Sequence, residues 1–234
     1  MKVLAVIPAR GGSKGLSRKN VRPFAGRPLI VWTIEAALKA GKITRLVCST
    51  EDKEIASVAS VFGCEVPFTR PEELATDKAR TADVILHAVD FFEKNGERFD
   101  AVMCLQPTTP LRTAEDIDGA IELYEKKSAK SLVSVCEVSE SPFWMYKIDR
   151  DGRLEKLIDS EFSGMSRQGH PKVYIPNGAI YLIDVGSFKK SRTFYEPAPV
   201  AYVMDRKNSV DIDYELEFRF AELIAGERSH RRPI

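Results

Sequence analysis

Residues 2–20 read KVLAVIPARGGSKGLSRKN, and the fold is decided there. Lys2 to Ile7 is a short apolar run rich in Val and Ile, which reads as a buried strand. Ala9 to Asn20 reads as a loop. It carries Gly11, Gly12 and Gly15 among Arg10, Lys14, Arg18 and Lys19. Glycines let backbone N–H groups approach an anion, and the cations between them add charge. A loop of this kind after a strand and before a helix is a common setting for phosphate binding. The alternative is a flexible basic surface loop. The spacing matches neither a GxGxxG fingerprint nor a loop closed by GK[ST], so hydride chemistry and P-loop hydrolysis lose support.

Outward from this loop, strand-like and helix-like segments alternate. Arg45–Ser49, Glu65–Phe68, Ala101–Leu105 and Ser131–Val138 read as further strands. Pro28–Ala40, Asp52–Phe62, Thr81–Lys94 and Glu115–Lys127 read as helices, with Thr81 and Thr113 as candidate caps. This alternation predicts an α/β domain with a mostly parallel sheet and helices on both faces. Ligands of such sheets sit at the carboxyl ends of the strands, which selects the loops 8–20, 106–112 and 205–213. From about residue 139 to 195 the rhythm changes. Pro142-Phe143-Trp144-Met145-Tyr146 is dense in large side chains, Tyr174–Ile183 reads as a strand element, and the whole stretch reads as an insertion that extends the sheet or makes an oligomer contact. A strand at Ala198–Met204 and a helix at Asp213–Leu223 follow.

The chain of 234 residues suits a single domain spanning 1–234 with that insertion. Lys and Arg total 35 against 34 Asp and Glu, so the net charge of +1 offers no argument for a nucleic acid or membrane partner. No apolar run reaches the ~18 residues of a membrane helix. The opening stretch is too short for a signal-peptide core. Cys48, Cys64, Cys104 and Cys136 lie far apart without CxxC spacing, which points to free buried thiols and a cytoplasmic setting.

Three other stretches carry chemistry. Gln106-Pro107-Thr108-Thr109-Pro110-Leu111-Arg112 follows a strand, and its two prolines fix the backbone. It is either a holder for Gln106 or a structural turn. In Ser209-Val210-Asp211-Ile212-Asp213, alternation places Asp211 and Asp213 on one side. Two such carboxylates suit Mg²⁺ beside phosphate oxygens, while Asp213 alone would also serve as a helix N-cap. Pro176-Asn177-Gly178 is a turn signal.

Taken in order, IPARGGSKG…KN, RPEELA, LQPTTPLR, PNGAIY and SVDID resemble the acylneuraminate cytidylyltransferases, the CMP-sialic acid synthetases and their relatives acting on bacterial nonulosonic acids. The resemblance runs from Ile7 to about Leu216. It implies a Rossmann-like nucleotidyltransferase fold and a homodimer to which the insertion at 139–195 contributes. The implied reaction joins CTP to a nine-carbon 2-keto sugar acid, giving a CMP-sugar and pyrophosphate. By the same resemblance, Arg10, Ser13, Lys14, Lys19 and Asn20 hold the phosphates and ribose. Arg70, Ala79 and Thr81 face the cytosine, Thr81 standing where the family commonly has Ser. Asn177 shapes the nucleotide site, and Gln106, Arg167 and Tyr181 contact the sugar acid. Asp211 and Asp213 hold Mg²⁺, and Arg10, Lys19, Asp211 and Asp213 form the catalytic set.

Two departures bear on the sugar. Members acting on sialic acid can carry Lys where this chain has Pro142-Phe143-Trp144, and Arg where it has Ile175. Fewer cations point to a 6-deoxy, diacylated nonulosonate such as legionaminic acid. A second reading is CMP transfer to an eight-carbon octulosonate. A reading from another class is an inert nucleotide-binding or regulatory dimer, against which the intact Arg10, Lys19, Asp211 and Asp213 argue.

Overall fold

The computed structural model describes residues 1–12, 15–162, 164–196 and 198–230. In chain order the elements are β1 (Val3–Pro8), the short pair β2 (Pro23–Phe24) and β3 (Arg27–Pro28), α1 (Leu29–Lys39), β4 (Arg45–Ser49), α2 (Lys53–Val61), α3 (Thr81–Lys94) and β5 (Ala101–Cys104). There follow α4 (Ala114–Lys126), β6 (Ser131–Glu137), the hairpin β7 (Tyr146–Ile148) and β8 (Leu154–Lys156), β9 (Tyr174–Asp184), α5 (Val185–Ser191), β10 (Val200–Val203) and α6 (Glu215–His230).

Six strands form the main sheet in the order β10-β6-β9-β5-β1-β4. β1 pairs in parallel with β4 and β5, and β10 with β6. The side chains of β1 alternate between two cores, as the pleat requires. Val3, Ala5 and Ile7 pack with α1, α2 and α4, while Leu4 and Val6 pack with α3 and α5. A third cluster joins Leu16, Phe24, Leu29, Leu111 and Ile212 to Phe218, Ala221 and Ala225 of α6. The expected α/β architecture, a mostly parallel sheet covered on both faces, is therefore present.

The stretch 139–195 divides in two. Tyr174–Asp184 is β9, which enters the main sheet between β5 and β6 and runs antiparallel to both. It is an interior strand of the sheet. Its direction matters, because the start of an antiparallel strand lies beside the carboxyl ends of its neighbours. Residues 176–178 are thereby delivered to the end of the sheet where the loops after β1 and β5 gather. The rest of the stretch carries the β7–β8 hairpin outside the main sheet. There Phe143, Phe162 and His170 pack together, and His170 bonds the Ser141 hydroxyl at 2.6 Å and the Phe162 carbonyl at 3.0 Å. Trp144, Met145, Tyr146, Ile148 and Leu154 remain exposed.

Two local expectations are corrected. Glu65–Phe68 is no strand: only Glu65 touches β4, through a bridge to Val47 and a 2.8 Å bond from the Cys48 N–H to its carbonyl. Pro67, two residues on, has no N–H to continue a ladder. Thr81 does not cap α3, whose cap position is Arg80, without a side-chain capping bond. Thr113 does cap α4, in a reciprocal capping box with Asp116. Cys48, Cys64 and Cys104 are buried free thiols, and Cys136 is half-buried. Burial pushes the Cys48 and Cys104 thiols up to about 12, which leaves them unreactive at neutral pH.

This division between the two threonines is measurable. Thr113→Ala removes an acceptor for an orphan helix N–H and is expected to cost about 1 kcal/mol in urea unfolding. Thr81→Ala is expected to change stability by less than ~0.5 kcal/mol.

Candidate active site

The loops at the carboxyl end of the sheet enclose a cleft of about 420 Å³. Its lining includes Arg10, Lys19 and Asn20 from the first loop, Arg70, Ala79 and Thr81 from the segment before and into α3, Gln106 after β5, and Asp211 and Asp213. Residues from four of the five quoted motifs thus meet in one cavity, although they are spread over some two hundred positions.

Each cleft cation is held by the protein. Arg10 pairs with Asp77 at 2.9 Å across the opening. The Lys19 ammonium is buried and donates to the Ile212 carbonyl at 2.6 Å and to Asp213 at 3.3 Å. Arg70 is 3% exposed, and its guanidinium bonds the Ser49 hydroxyl and carbonyl. Burial holds its pKa below the usual arginine range, with Glu51 opposing the shift. The Asn20 amide donates to the Arg10 carbonyl at 2.9 Å, closing the first loop on itself. The close packing of that loop explains a glycine: a Cβ at Gly15 would stand 2.0 Å from the Asp213 carbonyl oxygen.

Asp211 and Asp213 share the cleft because the residue between them does not. Ile212 is fully buried, and its N–H donates to the Thr108 carbonyl at 2.8 Å. The Asp211 carboxyl is raised above the usual range, chiefly by desolvation, then by the like charge of Asp213, against the stabilising Thr108 bond. Helix α6 begins at Glu215. Asp213 stands before its cap position and turns its carboxylate to Lys19, so the capping alternative is not adopted.

The loop after β5 is a holder. Arg112 is fully buried and donates to the Thr109 hydroxyl, the Ala179 carbonyl and the Thr33 hydroxyl at 3.0, 2.6 and 2.9 Å. It also reaches the Gln106 carbonyl at 3.3 Å, which fixes the backbone from which the Gln106 side chain enters the cleft. Burial lowers the Arg112 pKa to about 10, still charged at neutral pH.

Other expected site residues lie elsewhere. Asn177 is buried outside the cleft lining. Its amide accepts from Ser134 at 2.6 Å and donates to Ser209 at 2.8 Å, so it ties the segment leading to Asp211 onto the sheet. Tyr181 also lies outside the lining and packs on Phe194 and Tyr195. Burial raises its phenol pKa. Arg167 begins a short 3₁₀ turn, Arg167–Gly169, and its side chain lies outside the described residues. So do Ser13 and Lys14. Two residues escaped the sequence reading. Arg112 was visible only as the end of a loop, and Glu51, described below, carried no local signal.

A doubly wound sheet with a charged cleft at the carboxyl ends of its strands, in a chain without a dinucleotide fingerprint, suits a nucleotide ligand. The family model for cytidylyltransferases matches residues 4–220. The chain is 40% identical over 226 residues to the CMP-N,N'-diacetyllegionaminic acid synthase of Legionella pneumophila, covering 95% of each protein. It is 31% identical over 231 residues to the N-acylneuraminate cytidylyltransferase of Escherichia coli O18:K1:H7, covering 99% of this chain and 54% of that longer one. In three dimensions it resembles a CMP:2-keto-3-deoxy-manno-octonic acid synthetase complexed with CTP, with a TM-score of 0.70, 16% identity, and coverage of 97% and 100%. That last likeness is one of fold. The chain belongs to the cytidylyltransferase family.

One glycine tests the cleft geometry. Gly178 has φ +72°, and a Cβ there would lie 2.9 Å from the Asp211 carboxylate and 3.0 Å from the Gln106 side-chain oxygen. Gly178→Ala is expected to cost about 1–2 kcal/mol of backbone strain and to displace both groups. Turnover should fall about 100-fold, since ångström-scale misplacement carries that penalty. Turnover within twofold of wild type would mean that Asp211 and Gln106 need not keep these positions.

Proposed function

We propose that the chain transfers CMP from CTP to a nonulosonic acid of the legionaminic type, releasing pyrophosphate. The observation that carries this reading is the convergence of Arg10, Lys19 and Arg70 with Asp211 and Asp213 in a single cleft, in a chain 40% identical along nearly its whole length to a CMP-diacetyllegionaminic acid synthase. The acceptor's anomeric hydroxyl attacks the α-phosphorus in line. Arg10 and Lys19, with Lys14 of the same loop, neutralise the charge that grows on the leaving pyrophosphate. Arg70, Ala79 and Thr81 receive the nucleoside, while Gln106 and Arg167 serve the sugar acid. Arg167 is a natural carboxylate partner. The apolar character of Trp144 and Ile175, both exposed, favours a deoxy, diacylated acceptor over a more polar one.

The donor set fits Mg²⁺. Among the described residues no three His, Cys, Asp or Glu side chains form a closed cage. Two carboxylates in an open polar cleft suit an ion that keeps its waters and takes phosphate oxygens. The desolvated Asp211 carboxyl beside Asp213 is a pair that a cation would relieve. Bound there, the ion would offset phosphate charge and acidify the attacking hydroxyl. Asp213 and Lys19 keep the carboxylate pair oriented in either state.

Pyrophosphate release from CTP, with and without each of the sialic, legionaminic, pseudaminic and octulosonic acids, tests the reading. Release should require a nonulosonate and be fastest with the legionaminic acid. CTP should exceed UTP by at least about tenfold, the equivalent of ~1.4 kcal/mol for one mismatched hydrogen bond. Asp211→Asn and Asp213→Asn should each lose most turnover while staying folded. Full activity of both variants across a magnesium titration would remove the metal assignment.

We further propose a homodimer formed in part by the 139–195 stretch. Trp144, Met145, Tyr146, Ile148 and Leu154 stay exposed around the hairpin, a concentration of apolar surface of the kind that marks partner sites, and two-fold dimers dominate among oligomers. Sedimentation at micromolar concentration should give about twice the chain mass. A fully active monomer would contradict the proposal.

A further inference from the structure

Glu51 follows β4 and sits between two of the cleft's structures without lining the cleft itself. Its Oε1 accepts the Gly11 N–H at 2.7 Å. Its Oε2 is buried and has no hydrogen-bond partner among the described residues. That oxygen stands 3.9 Å from Nη1 of Arg70. One carboxylate therefore holds the glycine-rich loop with one oxygen and faces the buried guanidinium with the other. Among the described residues, Glu51 is the one carboxylate paired with Arg70. The Ser49 bonds hold one side of the Arg70 guanidinium and the Glu51 charge faces another, so Glu51 helps set its orientation.

The two residues that follow Lys53 and precede it extend the same strap. Asp52 caps α2 by accepting the N–H groups of Glu54 and Ile55 at 3.0 Å each. Asp52 and Glu54 both grip Arg18, at the far end of the loop. Arg18 has φ 54°, an unusual state for a residue with a side chain, and the two carboxylates hold it there. The loop lies flush on this strap: a Cβ at Gly11 would stand 2.5 Å from the Asp52 carboxylate.

We infer that Glu51 is a positioning residue that sets the loop at Gly11 and the Arg70 guanidinium in one fixed relation, so that phosphate and nucleoside are received together. The inference rests on the reading of the cleft as a nucleoside triphosphate site. It goes beyond that reading in assigning a role to a residue that touches neither substrate. Its two arms are separable. Glu51→Gln keeps an amide oxygen for the Gly11 N–H and removes the charge facing Arg70. Glu51→Ala removes both.

Calorimetric titration with CTP and with inorganic tripolyphosphate reads the two arms. In Glu51→Gln, CTP binding should weaken about tenfold, as for a lost charged contact, while tripolyphosphate binding stays within about twofold of wild type. In Glu51→Ala both should weaken by about tenfold or more. Glu51→Gln should melt within a few degrees of wild type, since its amide keeps the Gly11 bond and the shape of the side chain. Unchanged CTP binding in both variants overturns the inference. So does equal weakening toward both probes in Glu51→Gln accompanied by a large fall in melting temperature, which marks a merely structural role. Should Glu51→Ala not fold, the near-isosteric Glu51→Gln carries the test. A wild-type chain that binds neither CTP nor tripolyphosphate overturns the underlying site reading, and that result precedes any variant.

Discussion

The buried ammonium of Lys19 holds the first motif of the chain against the last. It donates to the Ile212 carbonyl at 2.6 Å and to Asp213 at 3.3 Å, across more than 190 residues of sequence. An unpaired buried cation costs several kcal/mol, so the loop after β1 and the segment 209–213 are stable only together. The contact is reinforced from below. Ile212 fills an apolar cluster with Leu16, Leu111 and Phe218, and its N–H is taken by Thr108. With Ile212 fixed on three sides, its two acidic neighbours have the cleft left to them. Asn177 adds a further tether through Ser209.

The cleft's electrostatics follow from this assembly. Arg10, Lys19 and Arg70 line it together with Asp77, Asp211 and Asp213, so cations and carboxylates balance there much as they do over the whole chain. A polyanion is then not drawn in by a large positive field. On the proposed reading it meets directed donors already fixed in place: Arg10 by Asp77, Lys19 by Ile212, and Arg70 by Ser49 and Glu51. Preorganisation of this kind lowers the ordering cost of binding. On the same proposal, a divalent cation would offset the repulsion between the carboxylate pair and a bound phosphate.

Much of this was legible in the sequence where a single local pattern carried the information. A short apolar run then glycines and cations announced β1 and its loop, and the alternation of Asp211, Ile212 and Asp213 announced that the two carboxylates would share one side. The sequence was less telling where the outcome depended on partners distant along the chain. Tyr174–Ile183 read as a strand of a stretch that extends the sheet, but its interior place was hidden because its neighbours, β5 and β6, are contributed from far upstream. Glu65–Phe68 had the composition of a strand, but Pro67 and a single flanking neighbour left it with one bridge. Asn177 and Tyr181 stand in recognisable motifs, yet their side chains are engaged by the protein rather than presented to the cleft. Glu51 had no signal at all, since an acidic residue before a helix reads as a cap or a solvated charge, and only the fold brings Gly11 and Arg70 to its two oxygens.

The dependence of the cleft on Lys19 is tested most directly by CTP titration of Lys19→Met, a substitution that keeps the length of the buried stem and removes its charge. The account predicts that CTP affinity falls at least about tenfold and that the melting temperature falls with it, because the same contact joins loop to loop and presents the phosphate donors. Wild-type CTP affinity in a Lys19→Met protein of unchanged melting temperature would contradict it.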